Sequence, residues 1–256
     1  MDLKLITCAD SFRNFHFTDE TDLIYMSCSS SDSLCDADEL HSCDHNCCSI
    51  KIKESLHSSC GMNVWPSAPI LGKYIWHYGQ RLKGKNVLEL GAGTGLISIL
   101  AVKCGVAECI VTDSSTDALK VAHENLILNN CSNFTLQVLP WGYLSPFLIS
   151  HGTIDLVLGS DVFYDPQDFE DIIVTVSYVL KKNTDAEFWC AYEKRCSEWN
   201  IQHLLEKWRL CCEEINLDSF GAEGTNVADS NLPGMKEIRL FVFRSEQTKN
   251  SELGCL

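Results

Sequence analysis

The 256 residues contain no apolar stretch approaching the ~18 to 20 needed to cross a bilayer as a helix, so no membrane partner is expected. The opening, MDLKLITCADSF, lacks the basic start and long apolar run of a secretory signal. The expectation is a cytoplasmic and/or nuclear chain. Basic residues are scarce: 20 Lys and Arg stand against 35 Asp and Glu, a net charge of −15. That balance argues against a nucleic-acid binder, which normally presents a basic patch. It suits a basic partner, steered in by charge, although solubility alone is the simpler reading of charge. A spaced cysteine framework is missing too. Fifteen cysteines cannot all pair, and Cys104, Cys109 and Cys190 fall inside helix or strand patterns. They read as reduced thiols acting as small hydrophobes.

What is present divides at about residue 60. Residues 1–60 carry 4 Lys/Arg and 11 Asp/Glu and include the stretch SCSSSDSLCDADELHSCDHNCC, which shows no lasting periodicity. It reads as a loop insertion or disorder. His41, Cys43, His45, Cys47 and Cys48 invite a zinc hypothesis, but their spacing matches no common zinc pattern, so no metal is expected. Two short strands flank the segment, at 15–17 and at 47–53. In the second, Cys48, Ile50 and Ile52 fall on one face. The first 60 residues are therefore expected to be an N-terminal extension, and 61–256 the main domain.

From residue 65 the pattern alternates. Trp65-Pro66 opens a helix, with Ile70, Leu71, Tyr74, Ile75 and Tyr78 at helical spacing. Strands are expected at 85–90, 108–113, 134–139, 154–161, 186–192, 210–217 and 236–244. Helices are expected at 95–105, 115–129, 166–182 and 198–208. Such alternation means an α/β fold, a mostly parallel sheet with helices on both faces.

Ligands of such sheets bind outside the carboxyl ends of the strands. The first strand ends in LELGAGTG, where Gly91, Gly93 and Gly95 allow a tight turn and close backbone approach. The spacing is not G-x-G-x-x-G. Glu89, just before the loop, would repel a pyrophosphate at the helix start, so a positively charged cofactor without phosphate fits better. The second strand ends at Asp113, about 20 residues on, the place for an acid bonding ribose hydroxyls; by itself it could be a helix cap. Together these features indicate a nucleoside site, with S-adenosylmethionine preferred. A fourth strand ends in GSDVFYDP. Asp165 and Pro166 suit the start of the following helix. Asp161 ends a buried strand beside the glycine loop, where an unpartnered carboxylate is costly. Its expected partner is the incoming substrate nitrogen; bonding to backbone amides of the turn is the alternative. Tyr164 suits a channel wall that contacts a cation through its ring. Glu193 and Arg195, after the next strand, suit either a structural ion pair or a substrate-facing pair. Trp76 and Trp189 are assigned to the core.

VLELGAGTGLISI resembles the first motif of the seven-strand, class I methyltransferases. With GMNVWPSAPILGKYIW, VTDSS, LPWG and SDVFYDPQDFEDI, the chain is similar over roughly residues 60–244 to the protein methyltransferases that carry a D-x-x-F/Y motif. The resemblance implies a Rossmann-like sheet of order 3-2-1-4-5-7-6 with the last strand antiparallel. It implies that Trp65 lines the cofactor pocket, that Gly91, Ala92 and Gly93 pass beneath the methionine part, and that Asp113 holds the ribose. It further implies that Trp141 packs near the adenine and that Ser160 touches the cofactor by its backbone. Family members methylate proteins, mostly on lysine, and one relative is associated with arginine in histone H3. The alternatives are a small-molecule methyltransferase and a catalytically silent binding module.

Overall fold

A computed structural model of the chain describes residues 10–18, 47–55, 62–197, 199–224, 226–232 and 237–246. Strands β1 (Asp10–Thr18) and β2 (Cys47–Ser55) pair antiparallel, Phe15 opposite Ile50 and Thr18 opposite Cys47. Helix α1 (Ser67–His77) follows. Then come β3 (Asn86–Leu90), α2 (Leu96–Lys103), β4 (Glu108–Asp113), α3 (Thr116–Leu128) and β5 (Phe134–Val138). A short α4 (Pro146–Ser150) leads to β6 (Leu156–Ser160), α5 (Phe169–Lys182), β7 (Glu187–Glu193) and α6 (Gln202–Trp208). Strands β8 (Leu210–Ile215) and β9 (Ile238–Ser245) close the fold.

Strands β3 to β9 form one sheet in the order β5-β4-β3-β6-β7-β9-β8. Counted from β3, this is the 3-2-1-4-5-7-6 order. β9 runs antiparallel to both neighbours, and the pairs among β3 to β7 are parallel. Residues alternate between two cores, as the two-residue period of a strand requires. Val87, Val111, Leu158 and Trp189 pack on one face with α1, α2 and α3. Leu88, Ile110, Val157 and Phe188 pack on the other with α5 and α6.

The β1–β2 hairpin joins the first of these cores. Phe15, Phe17, Ile50 and Ile52 are buried there, so the expected boundary near residue 60 does not coincide with a break in packing. Phe17 fits because Gly72 leaves room; a Cβ there would lie 2.7 Å from its ring. Two asparagines one turn apart, Asn125 on α3 and Asn129 at its C-cap, complete the inner edge of β2. Asn129 accepts the Lys51 N–H at 3.0 Å and donates to the Lys51 carbonyl at 2.8 Å. Asn125 does the same at Lys53, at 2.7 and 3.1 Å. Both are buried, so these bonds satisfy strand groups that would otherwise be costly orphans.

Several boundaries depart from the expected ones. Residues 166–168 are a separate 3-10 turn, capped by the Asp165 side chain accepting from the Gln167 N–H at 3.0 Å. Helix α6 starts four residues later than the hydrophobic pattern suggests. Helix α4, absent from the expected elements, is capped by Ser145. A single turn is too short to show periodicity.

Candidate functional site

The carboxyl ends of β3, β4 and β6 converge on a cleft of about 420 Å³. It is bounded by all ten site residues named from the sequence: Trp65, Glu89, Gly91, Ala92, Gly93, Asp113, Trp141, Ser160, Asp161 and Tyr164. Asn63, Val64, Ile97, Val162 and Arg195 are further lining residues.

The glycine turn after β3 has steric reasons. Gly91 has φ of 62°, and a Cβ there would sit 3.0 Å from the Trp141 ring. Gly95 has φ of 81°, and its Cβ would meet Ala122 of α3 at 3.1 Å. Side chains at both positions would separate elements that must touch. Asp113 ties this turn to β4. Its carboxylate accepts the Gly93 N–H at 3.1 Å and the Ser115 N–H at 2.9 Å. Ser115, not Asp113, caps α3, through the Ala118 N–H at 3.3 Å.

Glu89 requires a correction. It is fully buried, and desolvation pushes its carboxyl up to about 8, with the Ser98 hydroxyl pulling the other way and Asp113 adding to the rise. Ser98 donates directly to the Glu89 carboxyl. At neutral pH the group is therefore mainly protonated. The charge argument made from Glu89 falls, and Asp113 carries it. Ser160 offers a different signal. Its hydroxyl is buried with no hydrogen-bond partner among the described residues, on the wall of the cleft. An orphaned buried hydroxyl calls for a partner from a bound molecule or water. The cleft thus suits a nucleoside: a carboxylate for hydroxyls, two indoles, apolar walls and an unpaired hydroxyl. Among the described residues, the one Lys or Arg that lines it is Arg195, which is already engaged by a carboxylate and so is not free to take a pyrophosphate.

Trp141 lies over Gly91 and meets Tyr164 edge-to-face, centroids 6.1 Å apart. It stands between the glycine turn and the D-x-x-Y segment. The next residue must be glycine: at Gly142, with φ of 74°, the Asp171 carboxylate sits where a Cβ would go. Trp189 is buried in the core, and Trp76 packs partly buried against it.

The other side of the cleft is built on Asp161, immediately after β6. Its φ of 57° is a left-handed conformation that aspartate tolerates better than most residues. Its carboxylate has partners within the chain, which corrects the expectation of an unpartnered acid. Arg195 donates to it through Nη1 at 3.0 Å and Nη2 at 2.6 Å, and the Glu193 N–H donates at 3.2 Å. Nη2 also lies 3.7 Å from the Glu193 carboxylate, and the guanidinium sits 5.7 Å from the Trp65 ring centroid. Glu193 and Arg195 form an ion pair, and Arg195 also lines the cleft. Tyr164 is half-exposed at the mouth.

Among the described residues no three His, Cys, Asp or Glu side chains are placed to hold a metal. His41, Cys43 and His45 lie outside the described residues; Cys47 is exposed and Cys48 buried in the hairpin. No helix among them is long and apolar enough to cross a membrane.

Comparison with known proteins gives this geometry a family. The chain is 40% identical over 183 residues to human histone-arginine methyltransferase METTL23, covering 71% of this chain and 96% of the relative. It is 40% identical to the Xenopus laevis protein of the same name, over 75% of this chain and 83% of that one. It is 30% identical to zebrafish protein N-lysine methyltransferase METTL21A, over 61% and 71%. The fold matches the crystal structure of the SAM-dependent methyltransferase from Agrobacterium tumefaciens with a TM-score of 0.54 at 14% identity, covering 77% of this chain and 67% of that one. A family model described as "Lysine methyltransferase" matches residues 45–207. With that match spanning most of the sheet and the whole glycine turn, the chain belongs to the lysine methyltransferase family of S-adenosylmethionine-dependent protein methyltransferases.

Proposed function

We propose that the chain methylates an arginine side chain of a basic protein, with histones the first substrates to try, in the nucleus or cytoplasm. The observation that carries this reading is Asp161. It is a carboxylate at the end of a central strand, beside the donor cleft, in a setting already able to hold a planar guanidinium by two bonds. The relatives named for histone arginine support the choice, and the net charge of −15 suits a basic partner.

S-adenosylmethionine, when bound, supplies an electrophilic methyl group on a positively charged sulfur. Asp113 is placed to hold ribose hydroxyls while it keeps the glycine turn closed through the Gly93 N–H. Trp65 and Trp141 flank the cleft. Asp161 orients the acceptor guanidinium so that one nitrogen faces the donor. Alignment of this kind supplies much of the rate in an in-line transfer. Arginine keeps its proton far above neutral pH, so the proton leaves late, to an Asp161 carboxylate oxygen. A lysine acceptor needs only an orienting group, because burial beside a cation lowers its pKa.

The test is labelled cofactor incubated with purified protein, histones and cell lysate, followed by mass spectrometry of labelled bands. Label on arginine is the expected result. Label on lysine alone would overturn the arginine assignment, and label confined to small molecules would overturn a protein acceptor.

A further inference from the structure

Asp161 is only 6% exposed, and Arg195 is the side chain that engages both its carboxylate oxygens. A substrate nitrogen cannot take those two acceptor positions while the guanidinium holds them. The surroundings of Arg195 are specific in kind: a carboxylate bonded at two points, a second carboxylate at 3.7 Å on Glu193, and the Trp65 ring at 5.7 Å. Two-point pairing with a carboxylate and contact with an indole face are the interactions that distinguish a guanidinium from an ammonium.

We propose that Asp161, Glu193 and Trp65 form a guanidinium site, that the chain's own Arg195 occupies it at rest, and that a substrate arginine enters by displacing Arg195. This rests on the arginine reading above and adds how the acceptor is admitted. Arg195 can leave without unravelling the sheet. It stands two residues past the end of β7, outside any helix or strand, and its side chain is already 24% exposed. The exchange is like for like. The incoming guanidinium makes the bonds that the outgoing one gives up, so the buried carboxylate is never left bare, which would be costly. A lysine ammonium cannot reproduce the two-point contact and displaces Arg195 less well. Arg195 is thus a specificity-determining residue for the acceptor.

The experiment uses the full chain saturated with S-adenosylhomocysteine, with ethylguanidinium and paired arginine and lysine peptides as probes. In Arg195→Ala, ethylguanidinium should bind and compete with the arginine peptide. Removing the internal competitor should tighten that peptide by about tenfold and lower its KM. Lysine-peptide affinity should change much less. If a folded, cofactor-binding Arg195→Ala takes up no guanidinium, the site is misassigned. If guanidinium instead restores turnover lost in Arg195→Ala, Arg195 is a fixed support for Asp161 and displacement is wrong. Should Arg195→Ala fail to fold, the unmodified protein decides by the Arg195 Nε–H resonance. It should shift when the arginine peptide binds and stay in place with the lysine peptide; an unchanged signal with arginine peptide bound overturns the proposal. Label found only on lysine would sink the arginine reading whatever the titrations show. Label on arginine without guanidinium binding would sink this inference alone.

Discussion

The two walls of the cleft are held by different kinds of bond. On the β3–β4 wall, the Asp113 carboxylate is committed to two backbone N–H groups, of Gly93 and Ser115. On the β6–β7 wall, the Asp161 carboxylate accepts one backbone N–H and two bonds from a side chain that is partly in solvent. A wall closed by backbone bonds rearranges only if its turn opens. A wall closed by one long side chain rearranges by a rotamer change. The first suits a cofactor bound the same way at every turnover, and the second an acceptor that must enter and leave.

The sharpest way to break this division is at Gly91. Gly91→Arg places a long side chain against Trp141 in a left-handed conformation, and cofactor affinity should fall by about a thousandfold or more, below detection by calorimetry. A variant that still binds would show that the turn is not the donor's seat. Next is Asp161→Asn, which keeps the size and tolerates the left-handed backbone but loses the charge. Methyl transfer at saturating cofactor should drop on the order of a hundredfold, since loss of alignment costs that much, while cofactor affinity stays within about threefold. If both fall together, the walls are one unit. Asp113→Asn is the mirror experiment. Cofactor affinity should weaken by about tenfold, one charge-assisted contact's worth, with turnover at saturation nearly kept.

A separate test, of stability and not of binding or turnover, distinguishes burial from charge on the donor wall. Glu89 has its carboxyl raised to about 8, so the folded state holds a proton that the unfolded state has released above the usual carboxylate range. The stabilisation tied to that proton is full below about 4.5 and is lost as pH rises through about 8. Chemical denaturation without cofactor should show this as a loss of roughly 1 kcal/mol per pH unit between those limits, absent in Glu89→Gln. Equal slopes would mean that Glu89 is ionised in the fold.

The donor wall was legible in the sequence because its signals are local. A turn with positive φ favours glycine, and the acid at the next strand end stands at a fixed distance along the chain. D-x-x-Y was legible for the same reason. Arg195 was not decidable, because its pairing with Asp161 joins residues 34 apart that only the β6–β7 pairing brings together. Glu89 misled because a strand-end carboxylate reads as charged until its complete burial is known. Asn125 and Asn129 fall within the expected helix 115–129. Nothing near them in sequence shows that a strand from residues 47–55 lies against them.

Those asparagines bear on where the chain can be cut. The family match begins at residue 45, so a fragment starting there keeps β2 and discards β1. Its inner edge would still be met by the two amide side chains. Its outer edge would lose all nine partners that β1 provides and would bare a row of N–H and C=O groups along an alternating, half-apolar strand. Such an edge is a template for another copy of itself, and a trimmed protein should self-associate through it even where its catalytic half folds correctly. Asn125 also donates to the Thr94 carbonyl in the glycine turn at 2.9 Å, so the same strand braces that turn. Solubility and the shape of the glycine turn therefore share one physical origin, in a hairpin none of whose described residues lines the cleft.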